Sequence, residues 1–144
     1  MEVRAKMSNV VVDEALRAAS PLVERGYQPV DHNVYEQHFG SGWVLLVRND
    51  VRVRIVNDRG LSFVEIGSTA APEERLDARL ALREIGSNPA TGTDYESLTR
   101  LCGLLAETAP KWEVLFLPTT FATARASLRS REIASATERF DLTP

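Results

Sequence analysis

Four strand-like segments separated by tight turns lie in the first half of the 144-residue chain, and they constrain its fold more than any other feature. They span residues 34–39, 43–47, 51–57 and 61–67. The separators, residues 40–42, 49–50 and 58–60, are built from Gly, Ser, Asn, Asp and Arg, with the Gly, Asn and Asp typical of turns. Connections this short join only antiparallel neighbours, so the sequence predicts a four-stranded antiparallel meander.

A helix is predicted before the strands. Ser8 or Asn9 can cap it, and its apolar positions recur at helical spacing. Pro21 interrupts the pattern, so we expect the helix to end or kink near Ala19. Gly26 then closes the segment as a C-terminal breaker.

About three helices are predicted after Ser68. The first begins near Pro72 and ends at Gly86. The second opens with a capping box at residues 93–96, and Pro110 is expected to break it. Residues 112–117 form a dense apolar stretch that fits either a short helix or a fifth strand.

The last helix is predicted to begin after Thr119 or Thr120. The predicted fold class is α+β, with an N-terminal helix, a four-stranded meander and C-terminal helices packed on the sheet. Residues 8–140 form the predicted single domain, between a flexible leader (1–7) and a short tail (141–144). A composition of 44% hydrophobic and 26% charged residues is ordinary for such a domain.

The two-residue turn at Asn49 and Asp50 fixes which side chains share a face of the sheet. It places Val44 opposite Ile55, and Leu46 opposite Val53, on what we call the core face. The other side, which we call the mixed face, then carries both apolar and charged residues. They are Trp43, Leu45, Val47, Arg52, Arg54 and Val56.

The turn at residues 58–60 allows two registers. If Asn57 opposes Ser62, Arg54 faces Glu65 on the mixed face. A bulge at Gly60 would instead turn Glu65 toward the core face, where an unpartnered carboxylate is costly. We therefore favour the register without the bulge.

The first predicted strand also depends on its turn. A two-residue turn at Gly40 and Ser41 places Tyr35, Gln37 and Phe39 on the core face. Val34, Glu36 and His38 then lie on the mixed face. A three-residue turn would reverse this assignment, because a slip of one residue exchanges the two faces.

The mixed face is the best candidate for a functional surface. The residues predicted to bind a ligand or a partner are Glu36, His38, Trp43, Arg52, Arg54 and Glu65. Aromatic and arginine side chains supply both contact area and directional donors, which is typical of binding hot spots. The alternatives are a solvated face with an Arg54–Glu65 cross-strand pair, or a face covered by a C-terminal helix.

Few features of the sequence favour catalysis or cofactor binding. Cys102 lies between apolar residues and is expected to be an inert, buried thiol, while His32 and His38 lack a metal-binding spacing. No Gly-rich phosphate loop precedes a helix, and no Gly-x-Ser-x-Gly motif is present. We predict no catalytic residue, no metal site and no cofactor, and lean against an enzyme.

Charge and hydropathy limit the classes of partner that this chain is expected to bind. A net charge of −3 lacks the basic excess of a nucleic-acid binder. The longest apolar run, residues 43–47, is too short to span a membrane. One cysteine cannot form an internal disulfide, so we expect a cytoplasmic location. Together with the charge and the short apolar run, this predicts a protein that binds neither nucleic acid nor membrane.

The size, the charge and the order helix–meander–helices over residues 8–140 resemble those of small bacterial immunity proteins, and also of small secretion chaperones. The resemblance implies another protein as partner and no cofactor. The alternative is a small-molecule site or weakly marked enzyme, with a pocket between sheet and C-terminal helices. Glu36, His38, Arg54 and Glu65 would line it, and His38 would be its acid or base. A homodimer through the mixed face fits either hypothesis.

Overall fold

The α+β fold class and the antiparallel meander are confirmed, but the sheet has five strands rather than the predicted four; helices precede it and follow it. The computed structural model describes residues 2–35, 41–89 and 91–140, with side chains over 10–35, 41–89 and 91–133. The strands lie in chain order across the sheet. In that order the elements are α1 Glu2–Ala18, α2 Ser20–Glu24, β1 Gln28–Val34, β2 Gly42–Arg48, β3 Val51–Asp58, β4 Leu61–Ser68, β5 Leu76–Asp77, α3 Ala78–Glu84, α4 Tyr95–Glu113, a 3-10 turn Val114–Phe116, and α5 Phe121–Phe140.

The central register is confirmed. Val44 lies opposite Ile55 across the β2–β3 turn, and Asn57 lies opposite Ser62 in the β3–β4 pair. Arg59 and Gly60 form the second turn, with φ of 52° and 85°. Two positive φ values in a two-residue turn match the right-handed twist of the strands, so no bulge is needed and Glu65 stays off the core face.

The first strand was predicted in the wrong place. β1 is Gln28–Val34, not 34–39, and it pairs Asn33 with Trp43. This edge strand is exposed, contains Pro29 and has a bulge before Asp31, so it lacks the apolar alternation that signals a half-buried strand.

The shift of β1 also affects the residues predicted around the first turn. Tyr35 is 43% exposed and does not join the core, contrary to the prediction. The predicted positions of Glu36, Gln37, His38 and Phe39, and the Gly40 end of the turn, lie outside the described residues.

The N-terminal helix starts earlier than predicted and ends where predicted. α1 begins at Glu2 rather than after Ser8 or Asn9, and it stops at Ala18. The chain resumes as the short helix α2 with Pro21 in its first turn, where the missing N–H costs nothing. Gly26 then turns the chain into β1 with a φ of 104°.

The helix predicted from Pro72 is shorter than expected. Leu76 and Asp77 pair with Ile66 and Glu65 as β5, and α3 begins only at Ala78. The Asp77 side chain caps this helix by accepting a hydrogen bond from the Arg79 N–H at 2.9 Å. Leu76 is buried. A buried leucine fits the apolar face of a helix as well as it fits a strand, so the sequence pattern did not reveal the strand.

Helix α4 has a different cap from the one predicted, and Pro110 does not break it. The cap is Asp94, whose side chain accepts from the Ser97 N–H at 2.9 Å. Beyond Pro110 the helix continues to Glu113, so residues 112–117 are the end of α4 and a 3-10 turn rather than a strand.

Contacts beyond Pro110 explain why the helix continues. Trp112 is fully buried, and its indole N–H donates to the Leu105 carbonyl at 2.9 Å. The Glu113 carboxylate accepts from the Tyr27 hydroxyl at 2.6 Å and from Arg48 at 3.0 Å. These contacts offset the backbone hydrogen bond that proline removes.

One hydrophobic core joins the core face to the helices. It includes sheet residues such as Leu46 and Ile55, and helix residues such as Leu22, Leu105 and Leu128. α1 and α4 contact the strands directly. None of the apolar residues of the mixed face belongs to this core, so the core that the described helices bury lies on the other side of the sheet.

Candidate functional site

The mixed face consists of three rows of opposed residues that run across the strands. The central row places Arg54 between Leu45 and Glu65. In full, the rows are Asn33–Trp43–Val56–Phe63, Asp31–Leu45–Arg54–Glu65–Asp77 and Gln28–Val47–Arg52–Gly67. Opposed residues point to the same side of a sheet, so the register alone brings these side chains together.

The structure places four of the six predicted site residues on this face: Trp43, Arg52, Arg54 and Glu65. Glu36 and His38 lie outside the described residues. His32, the other histidine, opposes Val44 in the neighbouring register position and so does not belong to the mixed face.

Arg54 is held in place from two sides. Its Nε and Nη2 atoms lie 3.0 and 2.9 Å from Oε1 of Glu65. Its Cζ atom lies 5.3 Å from the ring centroid of Trp43. The Arg54 side chain is only 21% exposed. A cross-strand ion pair of this kind contributes about 0.2–1 kcal/mol, and a cation–π contact at an exposed site about 0.5–1 kcal/mol.

Apolar side chains surround this pair. Trp43, Val47, Val56 and Phe63 are half-buried. Leu45 is 8% exposed although it does not belong to the core that the helices cover. The face therefore combines apolar area with a fixed guanidinium group, without a covering helix.

A concave depression of about 240 Å³ lies on this face, and we call it the depression. Trp43 and Arg54 of the mixed face line it together with Arg52, and the segment after β4 forms one wall through Pro72, Glu74 and Arg75. Gly67 allows that wall to approach, because a Cβ atom there would lie 2.5 Å from the Glu74 carbonyl oxygen. Pockets that enclose drug-sized molecules usually measure about 300–1,000 Å³, so the depression is small for such a ligand.

A wider open concavity of about 1080 Å³, which we call the trough, lies beside the depression. It runs between the outer edge of β4, α3 and α5. Its basic lining residues are Arg75, Arg79, Arg83 and Arg129, and it shares Glu65 and Arg75 with the depression.

Sequence reasoning missed Asp31 and Arg75, which the structure adds to the lining of the depression. Asp31 lies in an edge strand without apolar alternation, and Arg75 lies in a segment predicted to be helical. The pattern of the sequence contained no signal that would have placed either of them.

The described residues contain neither a candidate metal site nor an accessible thiol nucleophile. Residues 10–35, 41–89 and 91–133 contain no group of three His, Cys, Asp or Glu side chains that could hold a metal ion. Cys102 is fully buried in α4, and burial raises the pKa of its thiol to about 12. A buried neutral thiol is a poor nucleophile.

Comparison with protein-family models, with curated proteins and with solved structures finds no match to this chain. None of the described helices has the length and apolarity needed to cross a membrane.

Proposed function

We propose that this chain is a non-catalytic binding module that recognises another protein through the mixed face. The observation that carries the proposal is the placement of Trp43 and Arg54, which contact each other on a sheet face outside the hydrophobic core. We further propose that it acts in the bacterial cytoplasm, in the manner of an immunity protein or a secretion chaperone.

The side-chain types on this face support protein binding. Tryptophan and arginine are enriched among residues that dominate binding energy, and such residues cluster where water can be excluded. The Glu65 carboxylate fixes the Arg54 guanidinium before any partner arrives. Less side-chain entropy is then lost on binding, because the arginine is already ordered.

A small-molecule site in the trough is the second candidate, favoured by its concave volume. Its described lining holds carboxylates and arginines but no histidine or cysteine. That composition would suit binding of an anionic compound better than acid–base catalysis at neutral pH. A thermal-shift screen against anionic metabolites tests it, since ligand binding to the folded state raises the melting temperature.

Photo-crosslinking tests the protein-binding proposal. A benzophenone amino acid is placed at Val47 on the mixed face, and at the exposed Glu107 on α4 as a control. We expect an adduct from Val47 only, when the protein is irradiated in an extract of its source. The adduct partner is identified, purified and bound to the wild-type chain by calorimetry.

The binding measurement decides the outcome. Trp43→Ala should weaken the binding of the purified partner at least tenfold. This loss is about 1.4 kcal/mol or more of binding free energy, the size expected for a hot-spot residue. Glu107→Ala should leave the dissociation constant unchanged. Equal crosslinking at both positions, or an unaltered constant in Trp43→Ala, would contradict the proposal. An adduct of two copies, supported by light scattering, would identify the partner as a second copy of this chain.

A further inference from the structure

We propose that the partner presents a carboxylate-rich segment, and that Arg52, Arg75 and Arg83 bind it. This inference rests on the proposed function and names the chemistry of the partner. We call these three residues the arginine track.

The arginine track connects the two concavities. Arg52 on β3 lines the depression, and Arg83 on α3 lines the trough. Arg75 lines both, because it lies just before β5 where the depression and the trough meet. An extended segment lying across β4 and β5, at this edge of the sheet, would therefore meet the three guanidinium groups in succession.

Ion pairing separates the track from the other arginines nearby. Arg54 pairs with Glu65 at 2.9 Å, Arg79 approaches Asp77 at 3.9 Å, and Arg129 approaches Glu132 at 3.5 Å. Those charges are compensated within the chain.

The three track residues differ. Within residues 10–35, 41–89 and 91–133, Arg52, Arg75 and Arg83 have no ion pair and no side-chain hydrogen bond. Among the described residues, therefore, no ion pair neutralises any of these three positive charges. A guanidinium group binds a carboxylate through two parallel hydrogen bonds, so each of the three can hold one acidic side chain.

The acidic residues around the track favour spaced carboxylates over a nucleic acid. The acidic residues that line the same concavities are Asp31, Glu65, Glu74, Asp77 and Glu132. They would repel the continuous charge of a phosphate backbone, whose binding depends on neutralising many phosphates at once. A peptide can place its carboxylates at the arginines and leave neutral residues beside the glutamates.

A labelled peptide tests the track directly. Fluorescein-octaglutamate is titrated with the full-length chain in 100 mM salt, and its anisotropy is recorded. We expect saturable binding, and no binding of fluorescein-octaglutamine. Arg52→Glu, Arg75→Glu and Arg83→Glu should each weaken binding at least fivefold, with circular dichroism showing an unchanged fold.

Arg59→Glu is the matched control. Arg59 lies in the β3–β4 turn with its side chain 75% exposed, and the substitution changes the net charge by the same amount. It should change the affinity less than twofold, because a Debye length of about 10 Å at this ionic strength screens distant charges.

Three results would overturn the arginine track: no binding by the wild-type chain, an equal loss in Arg59→Glu, or tighter binding of an eight-nucleotide oligothymidylate than of octaglutamate. These results are distinguishable from failure of the proposed function. If Trp43→Ala still weakens the crosslinked partner while the track variants do not, the mixed face binds a protein without using these three charges.

Discussion

At the scale of single residues, Cys102 links the core to the pH dependence of stability. Its thiol is fully buried, and burial raises its pKa to about 12. In the unfolded chain a cysteine titrates near 8.5. Above that pH the unfolded state loses a proton that the folded state keeps, so the free energy of unfolding falls as the pH rises.

We predict that the free energy of unfolding decreases between pH 8.5 and 10, with a slope of up to about 1.4 kcal/mol per pH unit from this thiol. Cys102→Ala should flatten the slope, whatever it does to the stability at neutral pH. Urea unfolding at several pH values measures both quantities.

Tyr27→Phe provides the comparison for this experiment. Burial and the Glu113 carboxylate also raise the pKa of Tyr27, but a tyrosine ionises in the unfolded chain only near pH 10. Its contribution to stability is therefore lost at higher pH, and the variant should keep the slope between pH 8.5 and 9.5. A slope that persists in Cys102→Ala would show that other groups cause it.

The sequence was sufficient to place the residues that depend on the two central turns. Trp43, Arg52, Arg54 and Glu65 share a face because Asn49 and the Arg59–Gly60 turn fix the register. The Arg75 position could not be predicted, because it depends on a wall that folds back over Gly67. A local sequence pattern reports only on residues that are near one another along the chain. The wall depends instead on a close contact between two segments, at Gly67 and Glu74.

At the scale of elements, contacts between segments also explain why the predictions for β1 and for the end of α4 were wrong. The predicted first strand was wrong because β1 is a polar edge strand whose pairing with β2 compensates for its weak pattern. Pro110 was expected to end α4, but the buried Trp112 stabilises the following turn. A proline inside a helix costs about 3 kcal/mol, and burial of a large aromatic side chain contributes an amount of the same order, so the burial of Trp112 can offset that cost.

The wall of the depression gives a prediction at this scale. Gly67→Ala would place a methyl group 2.5 Å from the Glu74 carbonyl oxygen, so β4 or the wall must move. We expect the free energy of unfolding to fall by about 1–3 kcal/mol, the usual cost of overpacking. Because the wall carries Arg75, octaglutamate binding should weaken as well.

Gly103→Ala is the control for that substitution. A Cβ atom at Gly103 meets nothing within 4 Å, and the residue lies inside α4. Replacing a helical glycine by alanine should raise stability by about 0.5–1 kcal/mol. Urea unfolding compares the two variants, and the same sign in both would refute the role assigned to the Gly67 contact.

At the scale of the whole molecule, the two sides of the sheet differ in what packs against them. The core face and the helices share one hydrophobic core that includes Ala15 of α1 and Leu128 of α5. The mixed face stays outside that core, and yet it is built from the same strands. Side chains on such a face are positioned by the core without being part of it.

We therefore expect the mixed face and the core to unfold together. The two tryptophans report on them separately, since Trp43 lies on the mixed face and Trp112 is fully buried beside Tyr27 and Phe116. In Trp112→Phe the fluorescence comes from Trp43 alone, and in Trp43→Phe from Trp112 alone. In each variant the urea midpoint from fluorescence should equal the midpoint from far-ultraviolet circular dichroism, as two-state unfolding requires. A lower fluorescence midpoint in Trp112→Phe only would mean that the mixed face loosens before the core, and its side chains would then not be ordered in advance of binding.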